Sequence, residues 1–342
     1  MPLLTAVRLL ARPLVAVALA AVMAAGTSVA PASATEAPTP YGRYGKPLAL
    51  DAQSGVMQEL RRVRSTASPQ TLRSLRLIAR YPSVNWFGGN DPRVFDWVRY
   101  RVEDAARQHA VAQMIAFNLP HRGCNEPDME GPTTAAGYRA WFREFVRALG
   151  HHRAIVIVEP DSLGLASCLP VRLRLERYRL IRWAVGQLHR QGSWAYIDIG
   201  HSKWLPVRTA VNRLRASGIA QAAGFSLNSS NFRPNAELIP YGEAISKRVG
   251  RRHFVIDTSR NGVMPGTGSW CNPPDAGIGH VPSADTHVKR LDAYLWIKGP
   301  GGSDGTCNGG PPAGQWFASY ANMLVRNARL HRVPVVPAAL RR

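Results

Sequence analysis

Cysteine and acidic residues are both scarce in this chain. Four cysteines, Cys124, Cys168, Cys271 and Cys307, are spread over 342 residues. None forms a C-x-x-C pair, which argues against a zinc site, and none sits in an evident Cys/His constellation for thiol catalysis. There is no G-x-S-x-G elbow, no H-E-x-x-H and no P-loop, so three common hydrolase and nucleotide-binding chemistries lose their signatures. Past residue 47 there is no low-complexity linker, no separate binding module and no convincing fixed-period repeat. No run is apolar over the roughly 18 residues that a membrane span needs. Asp and Glu number 22 against 43 Lys and Arg, a formal net charge of +21.

What is present begins with an address. Arg8 and Arg12 precede a small-apolar run, Leu14 to Gly26, and Ala32-Ser33-Ala34 supplies a small-x-small cleavage site. That order predicts a secretory signal peptide over 1–34 and a secreted, extracellular protein. An even cysteine count in an oxidising compartment suggests two disulfides. Three pairings are open. Cys124–Cys168 and Cys271–Cys307 are favoured because each would pin a loop beside the residues singled out below. The positive charge is read as arginine-rich solvated helix faces, of the kind seen at 171–180 (VRLRLERYRL), or as loose attraction to an anionic cell wall. No specific nucleic-acid partner is implied.

Residues 35–83 read as an N-terminal lead-in, Pro/Gly/Thr-rich to residue 47, with two weak helical patterns over 48–80. From residue 84 to 342 a different regularity holds. Short buried-type runs alternate with helical patterns, as parallel strands should. The predicted strands are Val84–Phe87, Val111–Asn118, Ala154–Val158, Ala195–Asp198, Ala223–Leu227, His253–Asp257 and Ala293–Ile297. Asp91-Pro92 offers an N-cap and an N1 proline for a helix to about Gln108. Further helices fit 138–149, 172–190, 206–216, 235–249 and 314–330. Seven β-then-α units predict an α/β, barrel-like fold.

The predicted strands end on Trp86, Asn118, Glu159/Asp161, Asp198, Asn228, Asp257 and Lys298. In a β/α barrel such ends converge on one face, where active sites sit. Carboxylates, amides and aromatic rings together suit glycoside hydrolysis. One carboxylic acid protonates the leaving oxygen and a second carboxylate activates water or attacks directly. Trp86, Trp204, Trp270 and Trp296 fall at or just past strand ends, and two or three of them are expected to line a cleft for sugar rings.

Ordered blocks carry a resemblance. They are Ile157-Val158-Glu159-Pro160-Asp161-Ser162-Leu163, Asp198 to Leu205 (DIGHSKWL), Asn228-Ser229-Ser230-Asn231-Phe232, Phe254 to Gly262 (FVIDTSRNG), Trp270-Cys271 and Leu295-Trp296-Ile297-Lys298. Over about residues 84–330 the chain resembles glycoside hydrolase family 6, the inverting cellobiohydrolases and endoglucanases. The resemblance implies a distorted, seven-stranded β/α barrel (TIM-like) and the two disulfide pairings favoured above. It implies Asp161 as general acid, Asp198 as support for the −1 sugar site and Asp304 as the proposed base. It places Trp86, His201, Trp204, Asn228, Trp270 and Lys298 at sugar-binding positions, with Asp257 and Arg260 organising the loop above the cleft. No metal or organic cofactor is implied. The expected substrate is a β-1,4-glucan cut by an endo-acting monomer.

Three positions depart from the family pattern. Phe117 stands where a tyrosine is usual, Gly123 where an aspartate is usual and Gly302 where a glutamate is frequent. A carboxylate at 123 would keep the general acid protonated. Its loss predicts early ionisation of Asp161 and slow turnover, an acidic optimum or a different glucan, unless Glu126 or Asp128 substitutes. The alternative reading is an impaired member that binds polysaccharide without cutting it.

Overall fold

The computed structural model describes residues 41–123, 131–266 and 268–333. The predicted signal peptide, Cys124, Glu126 and Asp128 lie outside the described residues.

Seven strands form one sheet in sequence order, every neighbouring pair parallel. They are β1 (Asn85–Gly88), β2 (Gln113–Phe117), β3 (Ile155–Val158), β4 (Trp194–Asp198), β5 (Gly224–Leu227), β6 (His253–Asp257) and β7 (Leu291–Leu295). The helices are α1 (Gly55–Val63), α2 (Pro69–Ala79), α3 (Val94–Arg107), α4 (Ala135–Leu149), α5 (Val171–Gln191), α6 (Val207–Ala216), α7 (Asn235–Arg248) and α8 (Ala318–Leu330). The sheet curls into a partly closed barrel. β1 and β7 form no ladder. Their seam is tied by the Val84 N–H donating to the Trp296 carbonyl (3.0 Å) and the Trp86 indole N–H donating to the Ile297 carbonyl (2.9 Å).

The unbroken apolar strands have a direct cause. Successive residues point to opposite faces, and both faces are buried. Ile115, Ile155, Ile157, Tyr196, Val255 and Leu295 fill the barrel interior. Met114, Val156, Val158, Ile197, Phe225 and Phe254 meet the helices outside. On α4, Tyr138, Phe142, Phe145 and Leu149 form the buried stripe that period 3.6 predicts. The Thr134 hydroxyl accepts from the Gly137 N–H (3.1 Å) to open that helix. A third core joins α1, α2 and α8 around Trp296. Trp296 is therefore a core residue, and three of the four strand-end tryptophans remain for a cleft.

Two expectations need correction. Asp91-Pro92 does not open α3. The Asp91 carboxylate accepts from the Arg93 N–H (2.8 Å), which makes a turn there, and the helix begins at Val94. The segment 35–47 reads as loose lead-in, yet within its described part Tyr44 reaches into the barrel's N-terminal mouth. Tyr44 is buried in the interior core, its hydroxyl 2.9 Å from that of Tyr196. Tyr196 donates to Asp292 (2.6 Å), which also pairs with Arg43 (2.8 Å). A barrel end lined by buried polar groups needs partners for them, and this segment supplies them.

The arginines also find a role. Arg182 on α5 donates to the Ala216 carbonyl at the end of α6 (2.8 Å). Arg215 on α6 donates to the Arg248 carbonyl at the end of α7 (2.6 Å), and Arg99 on α3 donates to Arg147 at the end of α4 (3.4 Å). Helix C-termini leave carbonyls unpaired and carry partial negative charge. Guanidinium groups from the preceding helix satisfy both, which gives these three arginines a structural role.

Candidate active site

The C-terminal strand ends converge as the sequence predicts, and the backbone there is unusual. Glu159 (φ 53°), Asp161 (φ 64°) and Asn228 (φ 69°) are left-handed non-glycine residues. Each costs of order 1–3 kcal/mol and persists only where surrounding bonds fix it. Those bonds are present. The Glu159 carboxylate, fully buried, accepts from the Asn118 N–H (2.9 Å) and the Leu119 N–H (3.1 Å). The Asp161 N–H donates to Asp198 Oδ1 (3.0 Å), and the Asn228 N–H to the Gly200 carbonyl (2.8 Å).

Asp198 is completely buried at the end of β4. Its Oδ1 also accepts from the Gly200 N–H (3.1 Å). Its Oδ2 accepts from the hydroxyls of Ser226 (3.0 Å) and Ser229 (2.5 Å). Burial pushes its pKa up to about 6, and the four donors restrain that rise. Asp161, one strand earlier, has a buried Oδ1 with no hydrogen-bond partner among the described residues. Burial, then the charges of Asp198 and Asp304, push its carboxyl up to about 8, with Lys298 opposing. Both causes oppose the early ionisation expected of Asp161 from the glycine at 123. Desolvation alone disfavours the charged form and dominates here without an aspartate at 123. Glu159, likewise raised by burial to about 7, is held back by the Asn118 and Leu119 N–H groups.

Asp304 has the opposite character. Its Oδ2 lies 2.6 Å from Arg260 Nη1 and accepts from the Asn272 N–H (3.0 Å). Its Oδ1 lies 3.1 Å from Lys298 Nζ. Burial opposes its ionisation, but Arg260 and Lys298 outweigh that and hold its pKa below the ordinary value. Arg260 is fully buried and also donates to the Ser230 carbonyl. Asp257 accepts the N–H groups of Ser259, Ser230, Ile297 and Lys298 at 2.9–3.2 Å, locking the ends of β5, β6 and β7 together.

The aromatic positions differ among themselves. Trp86 is 38% exposed, edge-on to Phe117 (5.4 Å), with Lys298 Nζ 6.0 Å from its ring. Phe117 in turn carries the Arg122 guanidinium 4.5 Å from its ring. Trp204 packs beside His201 (5.6 Å) and lies flat on two glycines. A Cβ at Gly164 or Gly200 would come within 2.7 or 2.8 Å of its ring. His201 is driven to about 4 by burial and by Arg233, so it is neutral above that pH. Trp270 is 67% exposed beside the Cys271–Cys307 disulfide, which joins the two loops that hold Asp304. Cys168 is also disulfide-bonded.

Asn228 is the clearest correction among the site residues. It is fully buried, and its amide is spent on backbone: Nδ2 donates to the Asp257 carbonyl (2.9 Å) and Oδ1 accepts from the Arg233 N–H (3.0 Å). It positions the β5 end and presents no polar atom to a sugar. Ser226 was not anticipated. It falls one residue before the predicted strand end, and only the register of β4 on β5, which pairs it with Asp198, identifies it. Among the described residues no group of three or more His, Cys, Asp or Glu side chains could hold a metal ion.

A curled parallel sheet with buried carboxylates of opposed character and tryptophans at its C-terminal rim defines an α/β-barrel protein with a candidate active site at that rim. Residues 45–328 match the sequence model of glycosyl hydrolases family 6, and the chain belongs to that family. It is 42% identical over 217 residues to endoglucanase A of Cellulomonas fimi, covering 63% of this chain and 47% of that one. It is 33% identical to endoglucanase A of Thermobispora bispora, covering 86% of this chain and 65% of that one. The chain thus spans about half to two thirds of the length of these two relatives. Endoglucanase Cel6 of Mycobacterium tuberculosis, solved with methyl-cellobiosyl-4-deoxy-4-thio-β-D-cellobioside, superposes with a TM-score of 0.78 at 39% identity. That match covers 83% of this chain and 98% of the other.

Proposed function

We propose that this protein is a secreted, inverting hydrolase of β-1,4-glucosidic bonds in cellulose or a related β-glucan. The observation that carries the reading is a pair of adjacent carboxyls. Asp161, just past β3, has a buried Oδ1 with no partner among the described residues, and its N–H donates (3.0 Å) to the fully buried Asp198. Burial and the Asp198 charge push the Asp161 carboxyl up. A glycosidic oxygen is a poor leaving group unless protonated as the C–O bond breaks. An acid that keeps its proton at neutral pH meets that need. Asp161 gives the proton to the leaving oxygen, water adds to the anomeric carbon from the opposite face, and that water's proton leaves through further water to solvent. Asp304, ionised and clamped by Arg260 and Lys298, is the anionic charge facing that step. Its depressed pKa makes it a weak base, so it orders and polarises water rather than holding the proton. Trp86, Trp204 and Trp270 offer ring faces for sugars. The exposure of Trp270 supports an unroofed, endo-acting cleft, as do the relatives named endoglucanases.

Engagement of both Asp304 oxygens by Arg260, Asn272 and Lys298 favours a second reading, a polysaccharide binder that has lost turnover. Reducing-end release from cellohexaose and from a soluble β-1,4-glucan, with Asp161→Ala as control, separates the two. Product well above the variant's background supports the hydrolase, and product equal to it leaves the binder. The exposed arginines add loose attraction to an anionic wall polymer. At an ionic strength of about 1 M the screening length falls to roughly 3 Å, so retention that survives such salt would contradict a purely electrostatic origin.

A further inference from the structure

An aromatic groove lies beside the candidate site. Its cavity of about 640 Å³ lies between β1, the residues leading into α1, and α3. Trp86, one of the candidate sugar-binding residues, also lines it. The opposite wall carries Trp97, 43% exposed, and Tyr100. Trp97 stands on the flank of α3, whose buried stripe is Val94, Val98, Arg101, Val102 and Ala105, so the α3 core does not account for it. Its ring is held in place on one side, with the Arg93 guanidinium 5.2 Å from its centroid and Arg93 paired to Asp91 (3.1 Å). The Tyr100 hydroxyl has no hydrogen-bond partner among the described residues. The floor is polar and fixed: Asn85 donates to Asp51 (2.7 Å) and accepts from Arg101 (2.8 Å).

We infer that this groove is an additional sugar-binding site, taking the part of a β-1,4-glucan chain that runs past Trp86. The inference rests on the glucan-hydrolase reading above. Two indole rings, each partly exposed at one groove, offer faces on which something flat and amphipathic can stack. A pyranose ring has an apolar face for stacking and equatorial hydroxyls for Tyr100 and the acidic rim. A rigid floor limits the ordering cost of binding.

The test compares chain lengths. In Trp97→Ala, kcat/KM on cellotetraose should stay within twofold of the parent. On cellohexaose and soluble β-1,4-glucan it should fall about three- to tenfold, mainly through KM, the range expected for one aromatic contact. Trp97→Phe should recover most of the loss, and an unchanged melting temperature shows that the variant folds. Equal loss on all chain lengths, or none on any, overturns the proposal. Should the parent cleave no glucan, the hydrolase reading fails on its own, and the groove is then read by equilibrium titration with cellohexaose. Weaker binding by Trp97→Ala supports the groove, and equal binding overturns it.

Discussion

Replacing Asp161 with asparagine should abolish turnover and stabilise the protein, and the gain should depend on pH. The native carboxyl titrates at about 8, against an ordinary value of 3.8. Between those values the native state keeps a proton that the unfolded chain releases. Native stability therefore falls as pH rises through that window. One pKa unit is worth about 1.4 kcal/mol, so at pH 7 the titrating residue costs the native state at most roughly 4 kcal/mol. Asparagine does not titrate, and Asp161 Oδ1 has no partner among the described residues for it to lose. At about 2 °C per kcal/mol for a domain of this size, the variant should melt up to about 8 °C higher at pH 7. The difference should shrink towards zero near pH 3.8. Calorimetric melting of both proteins from pH 3.5 to 8 reads this directly. A melting-temperature difference that is flat across that range would refute the argument that Asp161 is protonated because it is buried.

Three further outcomes follow from the same electrostatics. The alkaline limb of kcat/KM should lie near pH 8, not in the acidic range that Gly123 predicts from sequence. Gly123→Asp should move it by less than about one unit, because burial is the largest cause of the shift; a pH–rate profile in each protein checks both. Asp304→Asn should destabilise the fold by about 3–5 kcal/mol, because it leaves the buried Arg260 and the nearly buried Lys298 without their anion; a urea-unfolding loss below 1 kcal/mol would show that the cluster relaxes.

The strands were legible because burial on both faces writes each as a continuous apolar run. Predicted His253–Asp257 coincides with β6, and the others shift by a few residues at their ends. The rim was legible because its polar residues interrupt those runs. What sequence could not convey was which polar atoms are already used. Asn228 and Lys298 look alike in a list of strand ends, yet Asn228 is consumed by backbone and Lys298 by Asp304 and the Ser303 carbonyl. The desolvation of Asp161 escapes the sequence for a related reason. A neighbouring charge can be sought in sequence, but desolvation depends on how completely the barrel rim encloses the carboxyl. The Tyr44 plug was missed because its partners, Tyr196 and Asp292, are more than a hundred residues away, and a Pro/Gly-rich segment carries no periodic signal.

The central claim is that Asp161 delivers the proton to the leaving oxygen. It is tested most directly by varying the need for that proton. Asp161→Ala should lose at least about a hundredfold in kcat on cello-oligosaccharides, yet retain most of the parent rate on a cellobioside with a dinitrophenolate leaving group, which departs unprotonated. Equal losses on both substrates would contradict the account and assign Asp161 a different role.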